Sequence, residues 1–157
     1  MTPVDFTLLY PPFRARLKMM LLLLSASGHR FVVTEGFRTY TRQNELFNQG
    51  RVDNQPRVTD ARPGQSPHNF GLAVDVCLDA DASRPGLQPN WENEAYEPLR
   101  EACASFSLLW GGTWSKPDRP HIQWPGYAAA AELEPLRDIF EAKGLLAVWE
   151  FLERKEQ

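Results

Sequence analysis

The 157-residue chain has only three histidines, and two of them stand where metal chemistry is possible. In Ser66-Pro67-His68-Asn69-Phe70-Gly71-Leu72-Ala73-Val74-Asp75-Val76, a histidine precedes an aspartate by seven positions, with a glycine between them. From Leu72 onward the residues alternate. Leu72, Val74, Val76 and Leu78 make a core face, and Gly71, Ala73, Asp75 and Cys77 the opposite one. One carboxylate among small residues leaves room above a strand for an ion and a substrate, and His68 on the approach loop can swing over the same face. A second piece, Asp118-Arg119-Pro120-His121-Ile122-Gln123-Trp124, reads as a Pro-constrained turn that becomes a short strand. Ile122 and Trp124 supply its core face, leaving His121 and Gln123 on the other. His68, Asp75 and His121 form a three-ligand set of the kind catalytic zinc uses, with a fourth position open to water. Asp118, three residues before His121, is the spare carboxylate that can take a proton from water and pass it to a leaving amine. Spacing alone does not decide between this site and ordinary core or surface histidines.

Several elements must position these residues. Pro11-Pro12 starts a helix with Leu17, Met20, Leu21 and Leu24 on one face, closed by Gly28, after a short arm from Met1 to Tyr10. The stretch from Arg14 to Ser27 superficially resembles a signal peptide. Its apolar run, Met19 to Leu24, is shorter than an h-region of ~7–15 residues, so an amphipathic core helix is expected. It is also too short to span a membrane. Phe31 to Thr34 reads as a strand ended by Gly36, with Arg38 just beyond it. Thr41 to Gln49 reads as a short helix capped by Thr41, with Leu46 and Phe47 inward. The polar segment from Arg51 to Gln65 is a rim loop leading to His68. Asp79 to Ser83 invites a calcium-loop reading that fails, because Arg84 and Asn90 occupy the positions where Gly and Glu are needed. Trp91 to Phe106 contains a helix with Tyr96, Leu99 and Cys103 on one stripe, and Leu108 to Trp110 is a strand or buried turn. Ala128 to Lys143 and Leu145 to Lys155 form a helical hairpin about Gly144, with Leu133, Leu136, Ile139 and Phe140 inward and Pro135 in a first turn.

One domain is expected for residues 1–157, with a core over about 11–127 and a C-terminal helical extension over 128–157. A net charge of -3 offers no polybasic surface for nucleic acid, and a monomer with no membrane partner is expected. Two cysteines, Cys77 and Cys103, allow at most one disulfide. Cys77 reads as a small buried filler before it reads as a thiol ligand.

The run from Ser66 to Asp75 fits the Ser-x-His-x-x-Gly-x-Ala-x-Asp pattern of zinc peptidases that cut bacterial wall peptides. The chain thus resembles the D-alanyl-D-alanine carboxypeptidase and L-alanyl-D-glutamate endopeptidase family, of the Hedgehog/DD-peptidase fold. Gly36-Phe37-Arg38-Thr39 with Gln43 resembles the family's Gly-aromatic-Arg segment. Thr59-Asp60-Ala61-Arg62-Pro63-Gly64-Gln65 resembles the run leading into the ligand motif. Trp110-Gly111-Gly112-Thr113-Trp114, followed by Asp118 and His121, resembles the closing segment. These blocks span about Gly28 to Trp124 in the family's order. The resemblance implies an α+β fold, a small, mostly antiparallel sheet flanked by helices, with one zinc on His68, Asp75 and His121. It assigns Asp118 the proton transfer and Arg38 the oxyanion or a substrate carboxylate, where a surface salt bridge would otherwise be the default. Ser66, Gln43 and Trp114 would contact substrate. For Ser66 a turn cap, and for Trp114 a core filler, are the alternatives. Endopeptidases of this family tend to carry Asp three residues before the last His, where carboxypeptidases carry Glu, so Asp118 places the resemblance nearest the endopeptidases. The implied substrate is a peptidoglycan stem peptide cut between L-Ala and D-Glu, by a phage endolysin or wall-remodelling enzyme made in the cytoplasm and acting at the wall after release or export. A D-alanyl-D-alanine carboxypeptidase and a zinc-bearing wall-binding module without turnover are the alternatives.

Overall fold

Alternation of apolar residues builds an antiparallel sheet in the order β1-β2-β5-β4. Its strands are β1 (Phe31–Glu35), β2 (Ala73–Asp79), β3 (Pro89–Asn90), β4 (Leu109–Trp110) and β5 (His121–Gln123). β1 and β3 both pair with Leu78, so β3 extends the β2 edge that β5 begins. The computed structural model describes residues 2–157; Met1, the first residue of the expected N-terminal arm, lies outside them.

The helices are α1 (Pro11–Ala26), α2 (Tyr40–Asn48), α3 (Pro98–Ser105), α4 (Ala130–Lys143) and α5 (Leu145–Lys155). Leu72, Val74, Val76 and Ile122 are fully buried on the sheet's core face. Phe13, Leu17 and Met20 of α1 and Leu99 of α3 share their cluster. Apolar burial of this kind is the main driving term for such a layer. Leu78 and Leu21 are only half-buried, each at the margin of its expected face. The second face of β2 is covered too: Ala73 and Cys77 are fully buried, and Asp75 alone keeps partial access.

Three local expectations shift. α2 begins one residue earlier than Thr41, because Thr39 is the cap and its Oγ1 accepts the Arg42 N–H at 3.1 Å. Its buried residue is Gln43; Leu46 and Phe47 are half-buried, and the Arg51 guanidinium lies 3.8 Å from the Phe47 ring centre. α4 begins at Ala130, with the Glu132 carboxylate accepting the Ala129 N–H at 2.8 Å, which leaves Pro135 inside the helix instead of its first turn.

The C-terminal hairpin belongs to the core. Leu133, Leu136 and Val148 are fully buried. Trp149 Nε1 donates to the Phe70 carbonyl at 2.9 Å, and the Phe140 ring meets Phe70 edge-on at 5.8 Å. Glu156 accepts from Trp124 Nε1 at 3.0 Å and from the Tyr10 hydroxyl at 3.1 Å, closing the molecule around α1. Both thiols are free and buried, and burial pushes Cys103 up to about 12. No helix among the described residues is long and apolar enough to cross a membrane.

Candidate metal centre

Strand register creates the site. Asp75 pairs with His121 across β2 and β5, and with Glu35 across β2 and β1, so the three residues form a row over the sheet. A register shift between Val33 and Glu35 accompanies that row. His68 reaches it from a single 3-10 turn, Pro67–Phe70, in place of a plain loop. Ser66 caps this turn by accepting the His68 N–H at 3.3 Å. Gly71 closes it in the left-handed region (φ 69°), where a Cβ would fall 2.3 Å from the Leu8 carbonyl oxygen.

Each imidazole is tied by one nitrogen and presents the other. His68 Nδ1 lies 2.8 Å from the Gly36 carbonyl oxygen, which can only accept, so its Nε2 lone pair faces the centre. His121 Nε2 lies 2.9 Å from Gln123 Oε1, and the Gln123 amide nitrogen donates to the Trp124 carbonyl, so His121 Nδ1 is the free lone pair. These nitrogens stand 3.6 Å from Asp75 Oδ2 and 3.6 Å from Asp75 Oδ1, respectively. Two ligand bonds of about 2.0–2.1 Å at the tetrahedral angle set donors about 3.4 Å apart, so the spacing suits zinc. One ligand atom from each of the three residues lies within 4.8 Å of the others, which forms a group able to hold a metal ion. The outer oxygens that fix both tautomers are the support such a donor set needs. Burial opposes the charge on Asp75, but the charge and N–H groups of His68 and His121, where these imidazoles carry both protons, outweigh it and hold its carboxyl well below the usual range.

Asp118 stands beside this centre in the same cavity of about 530 Å³, lined also by Glu35, Arg38, Arg42, Ser66 and Trp91. Its N–H donates to the Gly111 carbonyl at 2.9 Å, and its own carbonyl accepts from His121 N–H at 3.2 Å, forming the turn into β5. Although Asp118 is exposed, the groove walls shed enough water from its carboxyl to raise its pKa; Asp75 adds to this and His121 opposes it.

Arg38 is buried, and its donors are largely occupied. Nε and Nη2 hold both Glu35 oxygens at 3.0 and 2.6 Å, Nη1 donates to Gln43 Oε1 at 3.0 Å, and Nη2 stands 3.5 Å from Asp75 Oδ2. Gln43 is no groove residue. It is fully buried, and its amide nitrogen donates to the Ala61 carbonyl at 2.8 Å, so it reaches the site only through Arg38. Trp114, half-buried, lays its ring 5.1 Å from that of His121, beside the cavity instead of lining it. Sequence reasoning did not single out Glu35 or Asn69. Asn69 is fully buried, donates to the Arg38 carbonyl at 2.8 Å and accepts from Gly64 N–H at 3.0 Å, tying two segments together. Its place inside the His68 block was the one available signal.

Residues 8–123 match the VanY family, described as D-alanyl-D-alanine carboxypeptidase. The chain belongs to this family. Among curated proteins, it is 38% identical over 104 residues to the peptidoglycan L-alanyl-D-glutamate endopeptidase CwlK of Bacillus subtilis (strain 168). That match covers 61% of this chain and 61% of CwlK, so the chain spans less than two thirds of that relative's length. Among solved structures, the L-Ala D-Glu endopeptidase ChiX of Serratia marcescens superposes with a TM-score of 0.53 at 26% identity, covering 76% of this chain and 83% of that one. A variant of the vancomycin-resistance D,D-pentapeptidase VanY, in complex with Zn(II), superposes with a TM-score of 0.56 at 22% identity, covering 89% and 81%. The VanY likeness carries the fold, and α4 and α5 lie beyond the residues that match the family.

Proposed function

We propose that this VanY-family protein is a zinc-dependent peptidoglycan peptidase that cuts the stem peptide between L-Ala and D-Glu. The observation that carries the reading is the convergence of His68, Asp75 and His121, each imidazole oriented by an outer oxygen, beside the free carboxylate Asp118. Zinc, when bound by those three residues, supplies a Lewis acid that polarises a carbonyl and lowers the pKa of water toward neutrality.

The chain's own residues do the rest. Asp118 takes the proton from the attacking water and returns it to the leaving amine, a role that a carboxyl of raised pKa suits. Arg38 orients Asp75 and places positive charge behind it, which favours the negative charge developing on the carbonyl oxygen. Ser66, on the cavity wall, offers its hydroxyl to the peptide backbone, and Trp114 steadies His121 from the side. Work on a wall peptide requires that the protein reach the cell wall by release or export.

The choice of bond rests on Asp118 standing three residues before His121 and on the activities that CwlK and ChiX are named for. The D-alanyl-D-alanine carboxypeptidase reading keeps the same donors and is favoured by the description of the family itself. Digestion of purified peptidoglycan with mass spectrometry of the new termini separates the two. New N-terminal D-Glu is expected, whereas released D-Ala supports the carboxypeptidase. Zinc-loaded protein that sediments with walls and leaves them intact is a binding module instead.

A further inference from the structure

The groove around the metal centre is rich in carboxylates and short of available positive charge. Glu35, Asp75 and Asp118 line it, and its guanidinium groups are Arg38 and Arg42. Arg38 has little to give an incoming anion, since its side chain is 9% exposed and three of its nitrogens already serve Glu35 and Gln43. Arg42 is different. Its side chain is 52% exposed, and its approaches to Glu35 and Glu45 are both 3.6 Å, beyond hydrogen-bond distance. Both Glu35 oxygens are held by Arg38, so the pull of Glu35 on Arg42 is already shared. Exposed pairs of this kind contribute little to stability. What remains is a planar, permanently charged fork with unspent donors on the cavity wall. It connects to Asp75 through Glu35 and Arg38 in an unbroken run of charged contacts.

We propose that Arg42 is a specificity-determining residue that receives the free carboxylate of the glutamyl residue on the amine side of the scissile bond. This rests on the endopeptidase reading above and extends it to how the substrate is chosen. A glutamyl residue within a chain uses one carboxyl for its next amide bond and keeps the other as an anion. Bringing that anion among Glu35, Asp75 and Asp118 is repulsive unless a cation meets it. A guanidinium answers with two parallel hydrogen bonds, which an ammonium or an amide does not reproduce. Arg42 thereby selects a glutamyl residue over a neutral residue of the same shape.

The test uses two synthetic stem peptides, one with the free glutamyl carboxylate and one with that carboxylate as its carboxamide. Zinc-loaded wild-type protein is compared with the Arg42→Gln and Arg42→Lys variants. The wild type is expected to favour the carboxylate peptide by about tenfold in kcat/KM, carried by KM, as suits one charge-assisted pair near solvent. Arg42→Gln should lose that preference through a rise of KM on the carboxylate peptide, leaving kcat and the carboxamide peptide little changed. Arg42→Lys should recover only part. Cleavage of both peptides with a preference unchanged by Arg42→Gln, or an equal loss on both peptides, overturns the inference while leaving the peptidase reading standing. Cleavage of neither peptide by the wild type overturns that reading and the inference with it.

Discussion

At the scale of single residues, the site depends on which nitrogen of each histidine is free. His68 is set by a backbone carbonyl, which no side-chain substitution removes, but His121 is set by Gln123 Oε1. Gln123→Leu keeps the side chain's approximate volume and deletes the acceptor. Zinc affinity is expected to fall about tenfold or more, read by competition with a chelator. On the proposed reading, His68 serves binding and Asp118 serves chemistry. Asp118→Ala should keep stoichiometric zinc and lose about 10²–10⁴ in rate, whereas His68→Ala should lose both. Metal analysis beside a turbidity assay on permeabilised cells reads the pair, and an active Asp118→Ala protein removes the role given to that carboxylate. Strand alternation made it legible that Asp75 and His121 share one side of the sheet, whereas His68 and Asp118, on turns beside the strands, were legible only from their place in the motif blocks. The burial of Gln43 was not legible. A polar residue on a short helix is exposed by default, and only contacts with Arg38 and with Ala61, 18 residues away, make it buried.

At the scale of elements, the turn from Asp118 into β5 is held from below by the 3-10 turn Gly111–Thr113. An ideal Cβ on Gly111 would lie 2.4 Å from the Asp118 carbonyl oxygen and 3.2 Å from the Cβ atoms of both Asp118 and His121. Backbone is on the other side of that contact, so little can yield except the turn itself. Gly111→Ala is therefore expected to displace the Asp118 carboxylate and the His121 imidazole together. Overpacking of this kind costs about 1–3 kcal/mol, and activity should fall by more than the melting temperature implies. Thermal melting followed by circular dichroism, run beside the peptidase assay, compares the two; unchanged kcat and melting temperature would show that the turn tolerates the methyl group. In the sequence, a glycine required for close approach, as at Gly111, looks the same as one required for a turn. The cap of α2 shows a similar limit. Thr39 and Thr41 are equivalent by type, and only the path of the chain out of Gly36 chooses Thr39.

At the scale of the molecule, α4 and α5 decide whether the site can exist by itself. They lie beyond residues 8–123, which match the family, and their periodicity showed a hairpin with an apolar side but not what that side would cover. Non-local packing supplies the answer. Trp149 donates to the carbonyl of Phe70, the last residue of the turn that carries His68, and Phe140 packs on the same ring. Arg137 methylenes lie against Gly64, in the segment leading to that turn. Leu133, Leu136, Val148 and Leu152 are buried to within 1%. At about 1.5–3 kcal/mol for each such side chain, these four contribute on the scale of a domain's entire net stability of about 5–15 kcal/mol. Removing them would also bare Phe70, Tyr10 and Trp124, and leave the Phe70 carbonyl without its buried donor. A chain ending at Tyr127 is therefore expected to show no cooperative unfolding transition in urea and no tight zinc binding, although it retains His68, Asp75 and His121. Circular dichroism against urea for the two chains reads this directly. A truncated protein that melts cooperatively at the full-length midpoint and holds zinc would make the hairpin an appendage, and would place the support of His68 within the sheet alone.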